Sequence, residues 1–292
     1  MRLDRFNPAN IRVRGGGSGG GGGFPGGGAG GVGCGTLVLV LIGALVFGVD
    51  PGQMLSGLDQ NGASTAPATQ QRTSPQSAEE LCTQNQYATE ACNALQSLNQ
   101  TWQPEFQRAG VRFEQPELVF YSGGTDSGCG AAQSAMGPFY CPADHGIYID
   151  TSFYDQMAQQ LGAKGDFARY YVIAHEYGHH IQKLTGVADA IRSAQQQNPR
   201  ASNQLQVRME LQADCYAGVW AGKNRNLIDP GDFEEGMTAA SAIGDDTLMR
   251  NAGRQVDAES FTHGSSAQRM EALRAGMESG NDSVCDRYVR LS

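Results

Sequence analysis

Basic residues are scarce over most of this 292-residue chain. Four of its 21 lysines and arginines (Arg2, Arg5, Arg12 and Arg14) fall in the first 49 residues, opposed there only by Asp4. The remainder carries 17 basic against 29 acidic side chains, a net of −12. A body that acidic repels a phosphate backbone, which excludes nucleic acid as a partner. Histidine is scarcer still, with five in the chain, and no internal repeat is present. Charge is wholly missing between Gly31 and Val49.

That uncharged stretch includes Thr36–Val49, nearly all aliphatic, and about 19 such residues of helix just cross a hydrocarbon core of roughly 30 Å. The arginines before it and the acidic residues after it orient the span with its N-terminus in the cytoplasm. A cleaved signal peptide normally starts within a few residues of the N-terminus, and here a glycine-rich stretch comes first. The sequence therefore predicts an uncleaved transmembrane signal anchor over residues 31–49 in an inner membrane. Cys34 lies at its start.

Glycine is unevenly spread: 15 of 40 precede Thr36. Such a segment buries little, so residues 1–30 are expected to be disordered and cytoplasmic. Residues 50–76, rich in Ser, Thr, Gln, Pro and Gly, read as a linker. Residues 77–292 form the folded domain, expected on the far side of the membrane, in the periplasm of a Gram-negative cell. With 40% of the chain hydrophobic, a substantial core is affordable there.

Six of the seven cysteines follow residue 80, an even number that fits disulfides in an oxidising space. Spacing favours Cys82 with Cys92 and Cys129 with Cys141, leaving Cys215 with Cys285. Six cysteines allow about 15 pairings, so other connectivities stay open.

Helical spacing marks Ala78–Gln100. Leu118–Tyr121 and Gly146–Asp150 read as short strands; analogy with the fold class makes the second an edge strand beside the cleft, on which an extended peptide could add by backbone pairing. Gly123–Asp144 between them is loop-like. From Asp166 onward the signals are mostly helical, giving an α+β fold, mostly helical with a small sheet.

One helix carries most of the chemistry. It runs over Asp166–Leu184, with Asp166 as N-cap and Gly186 as stop, and contains His175-Glu176-Tyr177-Gly178-His179. Histidines at i and i+4 share one face, so two imidazole nitrogens can converge on one ion. Glu176 leans toward the same side, where it can take a proton from a water activated by zinc and pass it to a leaving amine. Five histidines give H-E-x-x-H by chance in well under about one such chain in a hundred. A glutamate between two histidines on an otherwise apolar helix is also costly to bury without a cation. His180, about 100° further round the helix, misses the metal.

Zinc in a catalytic site wants three protein ligands and one open position. Gln182 and Thr185 stand where H-E-x-x-H-x-x-G-x-x-H would need glycine and histidine, which excludes that class. A second helix over Asn203–Gly222 carries Glu210-Leu211-Gln212-Ala213-Asp214. Glu210 completes a His-His-Glu set, and Asp214, one turn on, can accept the free ring N–H of a ligating histidine.

H-E-x-x-H followed some 30 residues later by E-x-x-x-D resembles the gluzincin class. More closely, Gly128–Gly130, Gly137–Pro142, Ile147–Asp150, His175–His180 and Glu210–Asp214 resemble the bacterial neutral zinc metallopeptidase family. Its glycine-rich N-terminus and single span are similar too, so the likeness covers nearly the whole chain. The resemblance implies a zincin-like domain, one catalytic Zn²⁺ and peptide or protein substrates; it does not give an oligomeric state. Thr262-His263-Gly264 followed by Arg269 is also similar to a His-Pro and downstream Arg segment of HtpX-type membrane peptidases, with glycine replacing proline. That likeness implies that His263 donates to the oxyanion of the tetrahedral intermediate and that Arg269 braces the site. A rival reading makes the chain a membrane-anchored binding or assembly protein with a structural or vestigial zinc site.

Overall fold

The computed structural model describes residues 1–17 and 76–290. Strand β1 (Arg12–Gly15) comes first, then α1 (Ala78–Thr83) and α2 (Gln86–Ala109). The expected single helix from Ala78 breaks at Gln84 and Asn85, where Asn85 caps α2 by accepting from the Ala88 N–H. Five strands follow, the second and third paired as a hairpin: β2 (Glu117–Phe120), β3 (Gly124–Ser127), β4 (Gly130–Gln133), β5 (Phe139–Cys141) and β6 (Gly146–Ile149). The remainder is helical: α3 (Ser152–Gln160), α4 (Asp166–Leu184), α5 (Val187–Gln197), α6 (Ser202–Lys223), α7 (Asp232–Ala242), α8 (Asp245–Asn251), α9 (Ser266–Ser279) and α10 (Asp286–Val289). The fold is α+β, mostly helical with a small sheet.

The sheet has the order β1-β2-β6-β5, with β1, β2 and β6 parallel and β5 antiparallel to β6. β6 is thus interior and buried along its length, and the edge strands are β1 and β5. This corrects the expectation that Gly146–Asp150 is the edge strand. The segment expected to be loop-like, Gly123–Asp144, contains the β3–β4 hairpin and β5 itself. Polar and glycine-rich strands with one exposed face leave little periodicity to read.

Residues 1–17 overturn part of the disorder expected for residues 1–30. Met1, Phe6 and Ile11 are buried in the main core, and Val13 packs against it. The backbone N–H groups of Phe6 and Asn7 donate to Asn93 Oδ1 (2.9 Å) and Gln96 Oε1 (2.6 Å) on α2. Arg14 reaches Glu117 Oε2 and the Tyr148 hydroxyl, each at 2.7 Å. The Met1 ammonium lies 2.8 Å from Asp232 and 3.1 Å from Asp166. Glycine content masked this because the apolar anchors all precede the glycine run. The expected span over 31–49 and nearly all of the linker lie outside the described residues. Among the described residues no helix is long and apolar enough to cross a membrane.

Three disulfides form: Cys82–Cys92, Cys129–Cys141 and Cys215–Cys285. The first closes the α1–α2 corner, the second ties the hairpin tip to β5, and the third fastens the C-terminal turn to α6. The core is built around α4, packed between α6, α2 and α7, with Trp102, Trp220, Tyr171 and Tyr177 among its fully buried side chains.

Candidate metal centre and active site

α4 and α6 approach closely because Gly178 offers no side chain. A Cβ there would sit 2.8 Å from the Ala213 Cα and 2.9 Å from its carbonyl oxygen. The glycine inside His175-Glu176-Tyr177-Gly178-His179 therefore sets the spacing that brings Glu210, one turn before Asp214, beside the histidines. α4 starts at Asp166 rather than after it, and Glu235 from α7 accepts the Phe167 N–H at 3.0 Å as an end cap. Gly186 (φ 79°) ends the helix in the left-handed conformation.

His175 Nε2 lies 3.1 Å and His179 Nε2 3.5 Å from Glu210 Oε2. In a tetrahedral zinc site with bonds of roughly 2.0–2.2 Å, neighbouring ligand atoms stand about 3.3 Å apart. One atom from each of the three residues falls within 4.8 Å of the others, so the donor set fits the ion in identity and spacing. All three residues line the cleft, the side from which a fourth ligand would approach.

Each donor residue is held from behind. Asp214 Oδ1 lies 2.7 Å from His175 Nδ1, so that nitrogen carries the proton and Nε2 faces the cluster. The Asp214 carboxylate also accepts from the Tyr171 hydroxyl (2.5 Å) and from Arg269 Nε and Nη2 (2.9 Å each). Gln182 Oε1 accepts from His179 Nδ1 at 2.9 Å, while its amide donates to Met209 O and Gln212 Oε1. Gln206 Nε2 donates to Glu210 Oε1 at 2.8 Å, turning Oε2 toward the histidines. The sequence reading missed Gln206 as a partner. It also treated Gln182 only as the wrong residue for another zincin class. The helical spacings 179/182 and 206/210 were the available signals.

The electrostatics follow from burial. Desolvation raises the Glu176 carboxyl above its ordinary range, with His175 and His179 opposing it. Burial also works against ionised Glu210, but the two histidines outweigh it and hold that carboxyl well below normal. His175 is pushed down by burial and up by Asp214 and Glu210, and the upward effects win, bringing it to about 10 in the metal-free protein.

His263 is buried rather than at the surface. Its Nδ1 lies 3.1 Å from Asp245 Oδ1 and 3.0 Å from the Thr262 hydroxyl. Asp245 Oδ2 accepts the backbone N–H groups of Thr262, His263 and Gly264 (2.7, 2.7 and 3.1 Å), fixing the whole turn. Asp245 is the second residue the sequence reading missed. His180 stays off the cluster: its Nε2 bonds the Glu114 carbonyl (2.7 Å) and its Nδ1 the Tyr140 hydroxyl (3.0 Å), tying β5 to α4. His145, at φ 57°, lies beside His180 and Glu114, away from the cleft.

The cluster opens into a cleft of about 830 Å³. His175, Glu176, His179, Glu210, His263 and Arg269 line its centre, and Phe139 and Tyr140 of β5 form part of its wall.

Comparison with known proteins agrees with this geometry. The profile of the family described as "Putative neutral zinc metallopeptidase" matches residues 4–288, a name that implies zinc. The chain is 44% identical over 256 residues to the uncharacterized protein YpfJ of Escherichia coli (strain K12), covering 86% of this chain and 85% of that protein. It is 37% identical over 205 residues to the uncharacterized protein Rv2575 of Mycobacterium tuberculosis (strain ATCC 25618 / H37Rv), covering 66% and 67% respectively. No solved structure gives a significant match. With a match to nearly its full length and the His-His-Glu cluster at its centre, the chain belongs to the "Putative neutral zinc metallopeptidase" family.

Proposed function

We propose that this protein hydrolyses peptide bonds with one zinc ion held by His175 Nε2, His179 Nε2 and Glu210 Oε2. The observation that carries this is the buried Glu176 carboxyl on the open side of a complete three-donor cluster, inside a cleft large enough for a peptide. When bound, zinc supplies Lewis acidity to a substrate carbonyl and acidifies a water. Glu176 takes the proton of the attacking water and returns it to the leaving amine. Burial raises its carboxyl above the ordinary range, which favours holding the proton between the two transfers. His263, held at Nδ1 by Asp245, lines the cleft, and with both ring nitrogens protonated its Nε2 donates to the oxyanion as it forms. Arg269 acts through Asp214, neutralising the carboxylate that orients His175.

Glu176→Gln tests the mechanism. The variant should bind zinc stoichiometrically and fail to cleave an unfolded protein such as reduced casein. Equal cleavage by variant and wild type would refute the role of Glu176. Zinc in both with turnover in neither would favour the binding or assembly reading.

We also propose that the body lies outside the cytoplasm, supported by its three disulfides. A single crossing by the aliphatic run at 36–49 would put Arg12–Gly15 and Glu117–Phe120 on opposite faces of the membrane, where their parallel ladder could not form. The proposal therefore places residues 1–17 beside the body, in one compartment, instead of N-terminus inside and body outside. Cysteines introduced at Asn10 and Arg112 should react with the same impermeant maleimide in intact cells or spheroplasts. Labelling of only one would restore the single crossing.

A further inference from the structure

The cleft lining is of two kinds. Met136, Phe153, Leu161, Val172, Ile243 and Leu248 contribute apolar surface. α5 and the start of α6 contribute polar surface. On α5, Ala188, Arg192, Gln195 and Gln196 follow one another at i, i+4, i+7 and i+8, so a single helical face lines the cleft. Arg269 is buried and engaged by Asp214, which leaves Arg192 as the exposed cation of the cleft wall. Among the described residues no carboxylate, carbonyl or aromatic ring partners its guanidinium. In so acidic a protein, an arginine without an acidic neighbour in the cleft is available to a ligand.

A bonded chain relates Arg192 to the metal cluster. Gln206, which holds Glu210, faces Gln195 with Nε2 to Oε1 at 3.5 Å, and Gln195 Nε2 also donates to the Ser202 carbonyl at 3.1 Å. Arg192 lies one helical turn from Gln195, roughly 5–6 Å between Cβ atoms. That puts it on the order of 10 Å from Glu210, or about three residues of an extended peptide at roughly 3.3 Å each.

We infer that Arg192 binds a carboxylate of the substrate about three residues from the scissile bond, while the apolar lining of the cleft takes an apolar side chain. This rests on the peptidase reading and names its substrate class: a peptide with an apolar side chain at the cleft and an anionic group about three residues from the cut. The carboxylate has two sources, an acidic side chain within a longer chain or the free C-terminus of a peptide.

The test separates recognition from turnover by measuring binding to the zinc-loaded Glu176→Gln protein. Fluorescein-labelled nonapeptides carry one central leucine in a neutral Ala/Gln background. Each is made with Glu or Gln at successive positions, and with a free or amidated C-terminus. At one position about three residues from the cut, or at the free terminus, the anionic peptide should bind roughly two- to fivefold more tightly than its neutral partner, as one exposed ion pair supplies. Arg192→Gln should close that gap, and Arg192→Glu should transfer the preference to a lysine-bearing peptide. Side-chain dependence identifies an internal acid, and dependence on amidation identifies a C-terminal carboxylate. Equal binding of every Glu/Gln and free/amidated pair overturns the inference. So does a preference that survives Arg192→Gln. Failure of the wild-type enzyme to cut any peptide counts against the peptidase reading alone, since binding is measured without turnover.

Discussion

Asp214 Oδ1 lies 2.7 Å from His175 Nδ1, and the same carboxylate receives Nε and Nη2 of Arg269 at 2.9 Å each. One buried anion thus orients a metal-site histidine and neutralises a buried cation. Asp214→Asn should keep the shape, weaken the grip on the His175 ring, and lower zinc affinity by roughly 10- to 100-fold. Asp214→Ala also strands Arg269 and should cost about 3–5 kcal/mol of stability. Chelator competition reads the first effect and denaturant unfolding the second. An Asn variant with wild-type zinc affinity would remove Asp214 from the site.

Gln206 makes the corresponding contact to the third donor. Gln206→Leu frees Glu210 to rotate and should weaken zinc binding by about tenfold while leaving the fold intact. Metal content after dialysis against a buffered chelator measures it. Unchanged content would make the 2.8 Å contact incidental.

Proton competition gives the metal site a pH dependence. His175 sits at about 10 in the metal-free protein, above its ordinary 6.5, so below about 10 zinc must displace its proton. Zinc affinity should rise about tenfold per pH unit between roughly pH 7 and 9, by titration against a chelator of known proton affinity. The sign is opposite for metal-free stability. A raised pKa stabilises the fold fully below 6.5, and that contribution is lost as pH climbs toward about 10. Flat affinity across this window would contradict the protonated state.

His263 is separated from the metal donors by role. His263→Gln should lower kcat by roughly 10²–10³ with zinc content and KM little changed, as expected of a donor used only in the transition state. Asp245→Ala should do the same and also destabilise the turn by about 1–3 kcal/mol, because three backbone N–H groups lose their acceptor. Steady-state kinetics beside thermal unfolding separate the two effects.

Residues 1–17 should be needed for a stable body. Removing them exposes the β2 edge and uncovers the core where Met1, Phe6 and Ile11 pack. At about 1.5–3 kcal/mol per buried side chain, the loss is on the order of 5 kcal/mol. The truncated chain should melt well below the full chain and aggregate. An unchanged melting temperature would mean that β1 is not part of the folded body.

The sequence by itself determined what depends on local spacing. Four-residue steps put His175 with His179, and Glu210 with Asp214, each on one helix face. Cysteines close in sequence marked two of the three disulfides, and apolar periodicity outlined α4 and α6. Tertiary structure decided whatever depends on elements distant along the chain. Sheet order put β6 inside, with β1 and β5 at the edges, because strand neighbours are set by long-range pairing that alternation does not encode. The N-terminal residues joined the core because three apolar side chains found partners on elements some 70 or more residues away. Gln206 and Glu210 share one face of α6, but the bond of Asp245 to His263 became visible only once the chain folded. A single amide or carboxylate carries no sign in the sequence of which buried group it will satisfy.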